Sequence, residues 1–146
     1  MTAIAITEPR AGSDVAGLSA TARLSGDGTH YVLNGVELFV SGGAQADPVL
    51  VACRTSVTDE EDRRKVSLLL AVDAHAEGVA VSAEPCTLGL RFSDLVEVTF
   101  TDVRVEAAGV LGEPGEGFAR LAEIFPQERL GTAVGPGPAT CGAAGP

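Results

Sequence analysis

The sequence is poor in aromatic residues and in cysteine. It contains no Trp, and only 4% of its 146 residues are aromatic, so a core must be built from Val, Leu, Ala and Ile. These aliphatic residues favour strands. The three cysteines, Cys53, Cys86 and Cys141, are odd in number and far apart, which argues against a disulfide framework and a thiolate metal site. We therefore expect reduced thiols and no metal site.

Basic residues are also scarce. The chain carries 10 Lys and Arg against 20 Asp and Glu, a net charge of -10. Such a field repels phosphate backbones and anionic lipids, which excludes nucleic acid and membrane surfaces as expected partners. A CoA thioester or a flavin dinucleotide is anionic too, and either one would need a local basic or amide-lined patch.

Long hydrophobic runs are missing. The longest, residues 66–72, is far too short to span a bilayer, and residues 1–10 lack the cationic segment of a secretory signal. A cytoplasmic protein is the expectation that follows.

Short alternating segments with turn residues between them predict an antiparallel β-barrel or sandwich. Residues 18–25 alternate apolar and polar side chains. Asp27-Gly28 and Asn34-Gly35 are hairpin signals, which predict separate strands at residues 30–33 and 36–41. The other predicted strands are residues 2–7, 49–53, 66–72, 79–81 and 95–100. After Asp102, Val103 and Val105 continue the last strand as a bulge or as an edge piece.

One helix is predicted near the C-terminal end. Residues 117–125 place apolar side chains at three- and four-residue spacing, and Pro126 should end the helix. From residue 131 onward Gly, Pro and Ala dominate, which predicts disorder. The expected organisation is an all-β domain over residues 1–130 with one short helix, and a disordered tail over residues 131–146.

Hydroxyl groups and glycines recur at predicted strand ends, in residues 7–9, 11–14 and 38–43. Glycine lets a ligand approach the backbone closely, and hydroxyls beside free amides can bind a flavin ring edge or a pyrophosphate. The alternative is that these are ordinary turn residues, which the local sequence alone favours. Gly112, Gly115 and Gly117 lack the full dinucleotide fingerprint and fit a tight turn before the helix.

Taken in order, several segments resemble the middle domain of the acyl-CoA dehydrogenases. The resemblance covers the chain from about its first residue to Leu130. Each segment is weak alone, but the ordered set is specific. The segments are residues 7–14, 33–35, 39–41, 88–91, 100–105, 111–112, 115–118 and 128–130.

The resemblance implies an antiparallel β-barrel, FAD as cofactor and an acyl-CoA as substrate. In that family a carboxylate removes the α proton of the acyl group, and the β hydrogen passes as hydride to the flavin. Phe39 stands where the family has Trp or Phe against the flavin, and Ser41 stands where it usually has Thr. The residues implied at the cofactor are Ile6, Thr7, Gly12, Ser13, Phe39, Val40 and Ser41.

The resemblance also implies roles for residues outside the flavin contacts. Ser13 and Arg129 match substrate contacts, and Glu128 falls where a minority of the family has its catalytic base. A carboxylate on the helix surface is the favoured alternative for Glu128. Pro126 replaces an acidic substrate contact of some relatives, and Arg91 matches a structural ion-pair residue.

The chain departs from the family pattern at both ends. The helical domains that flank the barrel, and the usual base with them, have no counterpart in the sequence. We therefore expect a truncated flavoprotein domain that is not catalytically complete alone. We also expect a homo-oligomer, or association through exposed apolar faces near Phe39 and Phe118. The alternatives are a non-catalytic binding module and a fragment of a disrupted gene whose tail is a frameshift product.

Overall fold

The computed structural model describes residues 1–55, 67–82, 88 and 94–134, and there a single sheet accounts for the strands. None of the helices in these ranges is both long and apolar enough to cross a membrane. Short 3-10 helices lie at Val15–Gly17, Gly43–Gln45 and Ala107–Gly109. The main elements are β1 (Ala3–Ala5), β2 (Thr21–Leu24), β3 (His30–Ser41), β4 (Pro48–Thr55), β5 (Ser67–Asp73), β6 (Val79–Val81), β7 (Leu95–Glu106) and α1 (Gly117–Val134).

The strands follow the order β1-β4-β2-β3-β7-β6, and β5 also pairs with β4. Four pairings are antiparallel, whereas β1 and β2 both run parallel to β4. Beyond β7 the chain returns to β5, where the Leu111 amide donates to the Leu69 carbonyl over 2.9 Å. The sheet thereby curls round, which confirms the predicted β-barrel with one helix. The two parallel pairings were not predicted.

The prediction that Asn34-Gly35 forms a hairpin turn is wrong, because β3 runs straight through these residues. A register shift falls between Leu33 and Gly35 in the pairing with β7. Asn34 spans it: its side-chain oxygen accepts from the Asp102 amide at 2.9 Å, and its side-chain nitrogen donates to Asp102 Oδ1 at 3.0 Å. A Cβ on Gly35 would lie 2.6 Å from the Cβ of Ala20, so glycine serves close packing here.

A bulge, one of the two alternatives at Asp102, is present in β7, the strand that pairs with β3 here. Asp102 has a φ of 50°, in the left-handed region. On β7 the buried side chains are Val96, Val98 and Phe100 before this point and Val103 and Val105 after it. The bulge thus moves the inward face from even to odd positions, because alternating side chains of a strand otherwise keep one face.

The prediction that the helix ends at Pro126 is also wrong, since α1 continues to Val134. Proline removes one backbone bond and costs about 3 kcal/mol inside a helix. Burial of Leu121 and packing of Phe125 hold the helix on the N-terminal side of the proline. Residues 131–134 of the predicted tail are therefore helical, and residues 135–146 lie outside the described residues.

Two apolar clusters stabilise the described residues. The larger fills the interior of the curled sheet with side chains from β1 to β5 and β7. The smaller, here called the outer cluster, lies between the sheet and α1. It joins the loop after β1 to β4, β5 and the helix, and its buried members are Ala11, Leu18, Ala52, Leu69 and Leu121.

Candidate functional site

The loop between β1 and β2 is fixed by Glu8 at its base. The backbone of Glu8 exchanges hydrogen bonds with that of Ala11 at 2.9 and 3.2 Å. Its side chain is buried and accepts from the amides of Ser19 and Ala20 and from the Ser19 hydroxyl. One residue therefore ties together the start and the end of this loop.

The tip of the same loop carries the predicted residues Gly12 and Ser13, and both are exposed. Ala11 before the tip and Leu18 after it are buried in the outer cluster, so the tip projects between two anchored points. A Cβ added at Gly12 would meet nothing within 4 Å. The open space leaves the loop backbone accessible to a ligand.

The C-terminal end of β3 presents the second predicted segment. Phe39 has a φ of 56° and is 61% exposed, and a register shift between Glu37 and Val40 marks a bulge there. A phenylalanine in the left-handed region is uncommon and marks strain that often accompanies a functional site. Ser41 is exposed, whereas the Val40 side chain packs in the barrel core, which leaves only its backbone to face a cofactor.

A backbone hydrogen bond joins the two segments. The Leu38 amide donates to the Thr7 carbonyl over 2.6 Å. It brings Thr7, at the start of the loop, next to the residue that precedes Phe39. Ile6, immediately before Thr7, is half-buried against the outer cluster. This bond therefore unites Thr7, at the start of the β1–β2 loop, with Leu38 of β3 in one backbone patch.

A second carboxyl group, Glu37, lies fully buried beside this patch. Neither of its oxygens has a hydrogen-bond partner in the part of the chain that the structure describes. Burial, with a further contribution from the charge of Glu8, raises the pKa of Glu37 to about 9. Burial also raises the pKa of the Cys53 thiol, and the charges of Glu37 and Glu8 add to this effect. At neutral pH the Glu37 carboxyl group and the Cys53 thiol are therefore both protonated.

Neither Glu8 nor Glu37 is among the site residues predicted from the sequence. A signal for Glu37 existed, because Tyr31, Leu33 and Glu37 all fall on odd positions of β3 and all are buried. The two separate strands predicted at residues 30–33 and 36–41 interrupt that alternation, so the pattern did not indicate burial of Glu37.

The helix carries the remaining predicted residues. Glu128 and Arg129 are both exposed, and the Arg129 guanidinium carbon lies 5.5 Å from the centre of the Phe125 ring. No hydrogen bond or ion pair in the described ranges joins either side chain to the loop or to β3. Arg91 lies outside the described residues.

Comparison with known proteins gives consistent matches. Residues 3–103 match the family model for the acyl-CoA dehydrogenase middle domain. The mitochondrial long-chain specific acyl-CoA dehydrogenase of Sus scrofa is 38% identical over 88% of this chain, which spans 29% of that relative's length. The crystal structure of an acyl-CoA dehydrogenase from Geobacillus kaustophilus superimposes with a TM-score of 0.83 at 40% identity, over 88% of this chain and 33% of that one.

A third match carries a cofactor in its description. The crystal structure of a Bacillus anthracis acyl-CoA dehydrogenase complexed with FAD has a TM-score of 0.71 and is 33% identical. It covers 80% of this chain, which corresponds to 19% of the solved chain.

Proposed function

This chain belongs to the acyl-CoA dehydrogenase family, and on that premise we propose that it is the flavin-facing barrel of an oxidoreductase acting on the CH–CH bond of an acyl-CoA. It contributes cofactor and substrate contacts, and it is not catalytically complete by itself. A catalytic base from outside the described residues completes the reaction.

One observation carries the proposal: the Thr7–Leu38 hydrogen bond that unites the loop with the end of β3. It puts the open Gly12–Ser13 tip and the exposed Phe39 on adjoining segments. An aromatic ring held at a strained backbone position and facing solvent has no role in the core. It does suit stacking or edge contact with a planar ligand.

The residues fit a flavin dinucleotide by their chemistry. The Phe39 ring and the Ser41 hydroxyl suit an isoalloxazine, and the open backbone around Gly12 with the Ser13 hydroxyl suits a phosphate. Arg10, also exposed on this loop, offsets the overall negative charge locally. The FAD complex of the Bacillus anthracis relative supports this choice of cofactor. When bound, FAD would accept the hydride. The protein would bind and orient the cofactor and the substrate, and it would exclude water from the site.

For the acyl-CoA we propose contacts from Ser13 and Arg129. The packing of the Arg129 guanidinium on Phe125 restricts the side chain while leaving it charged and exposed. Glu128 lies exposed beside it, and this exposure favours a surface role over that of a base.

A flavin titration of the purified chain tests the proposal. We expect FAD fluorescence to be quenched at a saturable site, and we expect Phe39→Ala to weaken that binding. Leu24→Ala is the matched control, because Leu24 is also an exposed large apolar residue of a strand. Absence of saturable binding, or equal effects of the two substitutions, would contradict the proposal. Anaerobic addition of acyl-CoA then reports whether any bound flavin is bleached, and we expect no bleaching without a second polypeptide.

We further propose self-association. Several large apolar side chains are exposed in the described residues, and sedimentation at rising concentration should reveal dimers or larger species. The cytoplasmic location stays a prediction that cell fractionation can check. The exposed apolar residues are Met1, Ile4, Leu24, Phe39, Val81, Leu88, Leu111, Ile124, Leu130 and Val134.

A further inference from the structure

The buried carboxylate of Glu8 accepts several hydrogen bonds from residues that lie outside any helix or strand. Glu8 is 3% exposed. Its two oxygens accept from the Ser19 amide at 2.9 and 2.7 Å, and Oε1 also accepts from the Ala20 amide at 2.8 Å. The Ser19 hydroxyl donates to Oε2. A buried carboxylate with several donors is a rigid junction, because charge-assisted hydrogen bonds are strong and directional.

The junction replaces the sheet pairing that the loop lacks. Between Glu8 and Ser19 the described backbone bonds are the short pairing of Glu8 with Ala11 and one turn, in which the Gly17 amide donates to the Asp14 carbonyl at 2.8 Å. Beyond Ser19 the chain re-enters the sheet, where the Arg54 amide donates to the Ala20 carbonyl at 2.8 Å. Glu8 thus links the outgoing and the returning ends of the loop at the point where both leave the barrel.

The placement of the loop tip depends on this link. Ala11 and Leu18 are buried, but apolar contacts are non-directional and do not set the orientation of a backbone. The carboxylate does so, because it fixes two consecutive amides and a hydroxyl relative to the start of the loop. Gly12 and Ser13 lie between these fixed points and are exposed.

We propose that Glu8 is a positioning residue: it sets the orientation of the Gly12–Ser13 tip and thereby the affinity of the site for a phosphate-bearing ligand. The inference rests on the proposed function for the identity of that ligand, a flavin dinucleotide. It adds a residue that touches no ligand and acts through the loop.

Glu8→Gln is the direct test. Glutamine has the same shape, but its side-chain nitrogen is a donor. It would face the donors from which a carboxylate oxygen of Glu8 accepts hydrogen bonds. In hydrogen exchange of the ligand-free chain we expect the amides of residues 12–20 to exchange about tenfold faster, and those of β3 and β7 to be unchanged. Glu97→Gln, at an exposed carboxylate on β7, is the matched control and should change neither region.

Ligand binding supplies the readout that a purely structural role would not move. We expect Glu8→Gln to weaken FAD binding about tenfold while binding of riboflavin, which lacks the phosphates, changes little. Ser19→Ala removes one donor and leaves the carboxylate, so it should produce a smaller effect of the same kind even where Glu8→Gln folds poorly.

Two exchange results would overturn the inference: unchanged exchange in the loop, or acceleration spread evenly over the barrel. Equal weakening of FAD and riboflavin would overturn it as well. If the unmodified chain binds no FAD, the proposed function fails, and the exchange data alone then decide whether Glu8 orients the loop.

Discussion

Replacement of Glu37 by Met should stabilise the protein, and more so as the pH rises. The carboxyl is fully buried without a hydrogen-bond partner among the described residues, and Met has a similar volume without polar oxygens. The pKa of Glu37 is raised from 4.5 to about 9 in the folded chain, so between these values the folded state holds a proton that the unfolded state has released. The contribution of Glu37 to the unfolding free energy is therefore most favourable below pH 4.5, and it becomes less favourable as the pH rises toward 9.

The magnitude follows from the size of that interval. Each pH unit above 4.5 costs about 1.4 kcal/mol of unfolding free energy, which gives about 2 kcal/mol at pH 6 and about 5 kcal/mol at pH 8. These are large fractions of a typical stability of about 5–15 kcal/mol. Glu37→Met should restore this lost unfolding free energy. Glu37→Gln should remove its pH dependence, but the amide keeps unpaired polar atoms that cost about 1–3 kcal/mol.

Urea unfolding between pH 5 and pH 9, followed by the fluorescence of the single tyrosine, Tyr31, and by circular dichroism, measures these differences. Titrating groups that do not interact with Glu37 cancel when each variant is compared with the unmodified chain at the same pH. Glu97→Met, at an exposed position of β7, is the control and should leave the slope unchanged. Parallel stability curves for the unmodified chain and Glu37→Met would refute the reasoning.

Three further predictions concern other parts of the fold. Phe39→Gly should raise the unfolding free energy by about 1 kcal/mol, because glycine relieves the positive φ, and should weaken FAD binding; a loss of stability would contradict this. Asn34→Ala should lower the unfolding free energy by about 1–2 kcal/mol in urea, because both side-chain hydrogen bonds to Asp102 are lost. An unchanged unfolding free energy would show that the bulge does not depend on these bonds. Leu121→Ala should cost about 2–5 kcal/mol of helix docking, seen as faster amide exchange in α1 and not in β3.

Short segments separated by turn residues were sufficient to predict a barrel or sandwich, and the family resemblance selected the barrel. The strand at residues 79–81 was predicted with the bounds that β6 has, and the Asp27-Gly28 turn does connect β2 to β3. Asn34-Gly35 misled because the same dipeptide serves a turn and a bulge, and only the long-range pairing with Asp102 distinguishes them. Pro126 misled because tertiary contacts of Leu121 and Phe125 override a local helix breaker.

The candidate site was predicted only in part for a related reason. Resemblance identified the loop and the end of β3, but not the hydrogen bond between Thr7 and Leu38 that joins them. Glu8 and Glu37 are charged residues, which are normally exposed. Their burial follows from the register of β3 and from donors more than ten residues away in the chain, and neither is visible in a local window.

The parallel pairing of β1 with β4 has a consequence for the order in which the barrel can assemble during synthesis. Ala3 emerges from the ribosome long before Val49, its partner, and His30 long before Glu106. The first strand must wait for the fourth, and the long edge of β3 stays unpaired until nearly the whole barrel has been made. Such non-local closure slows folding, and exposed strand edges invite wrong pairing meanwhile. A nascent chain halted before Glu106 would therefore be a natural substrate for chaperones.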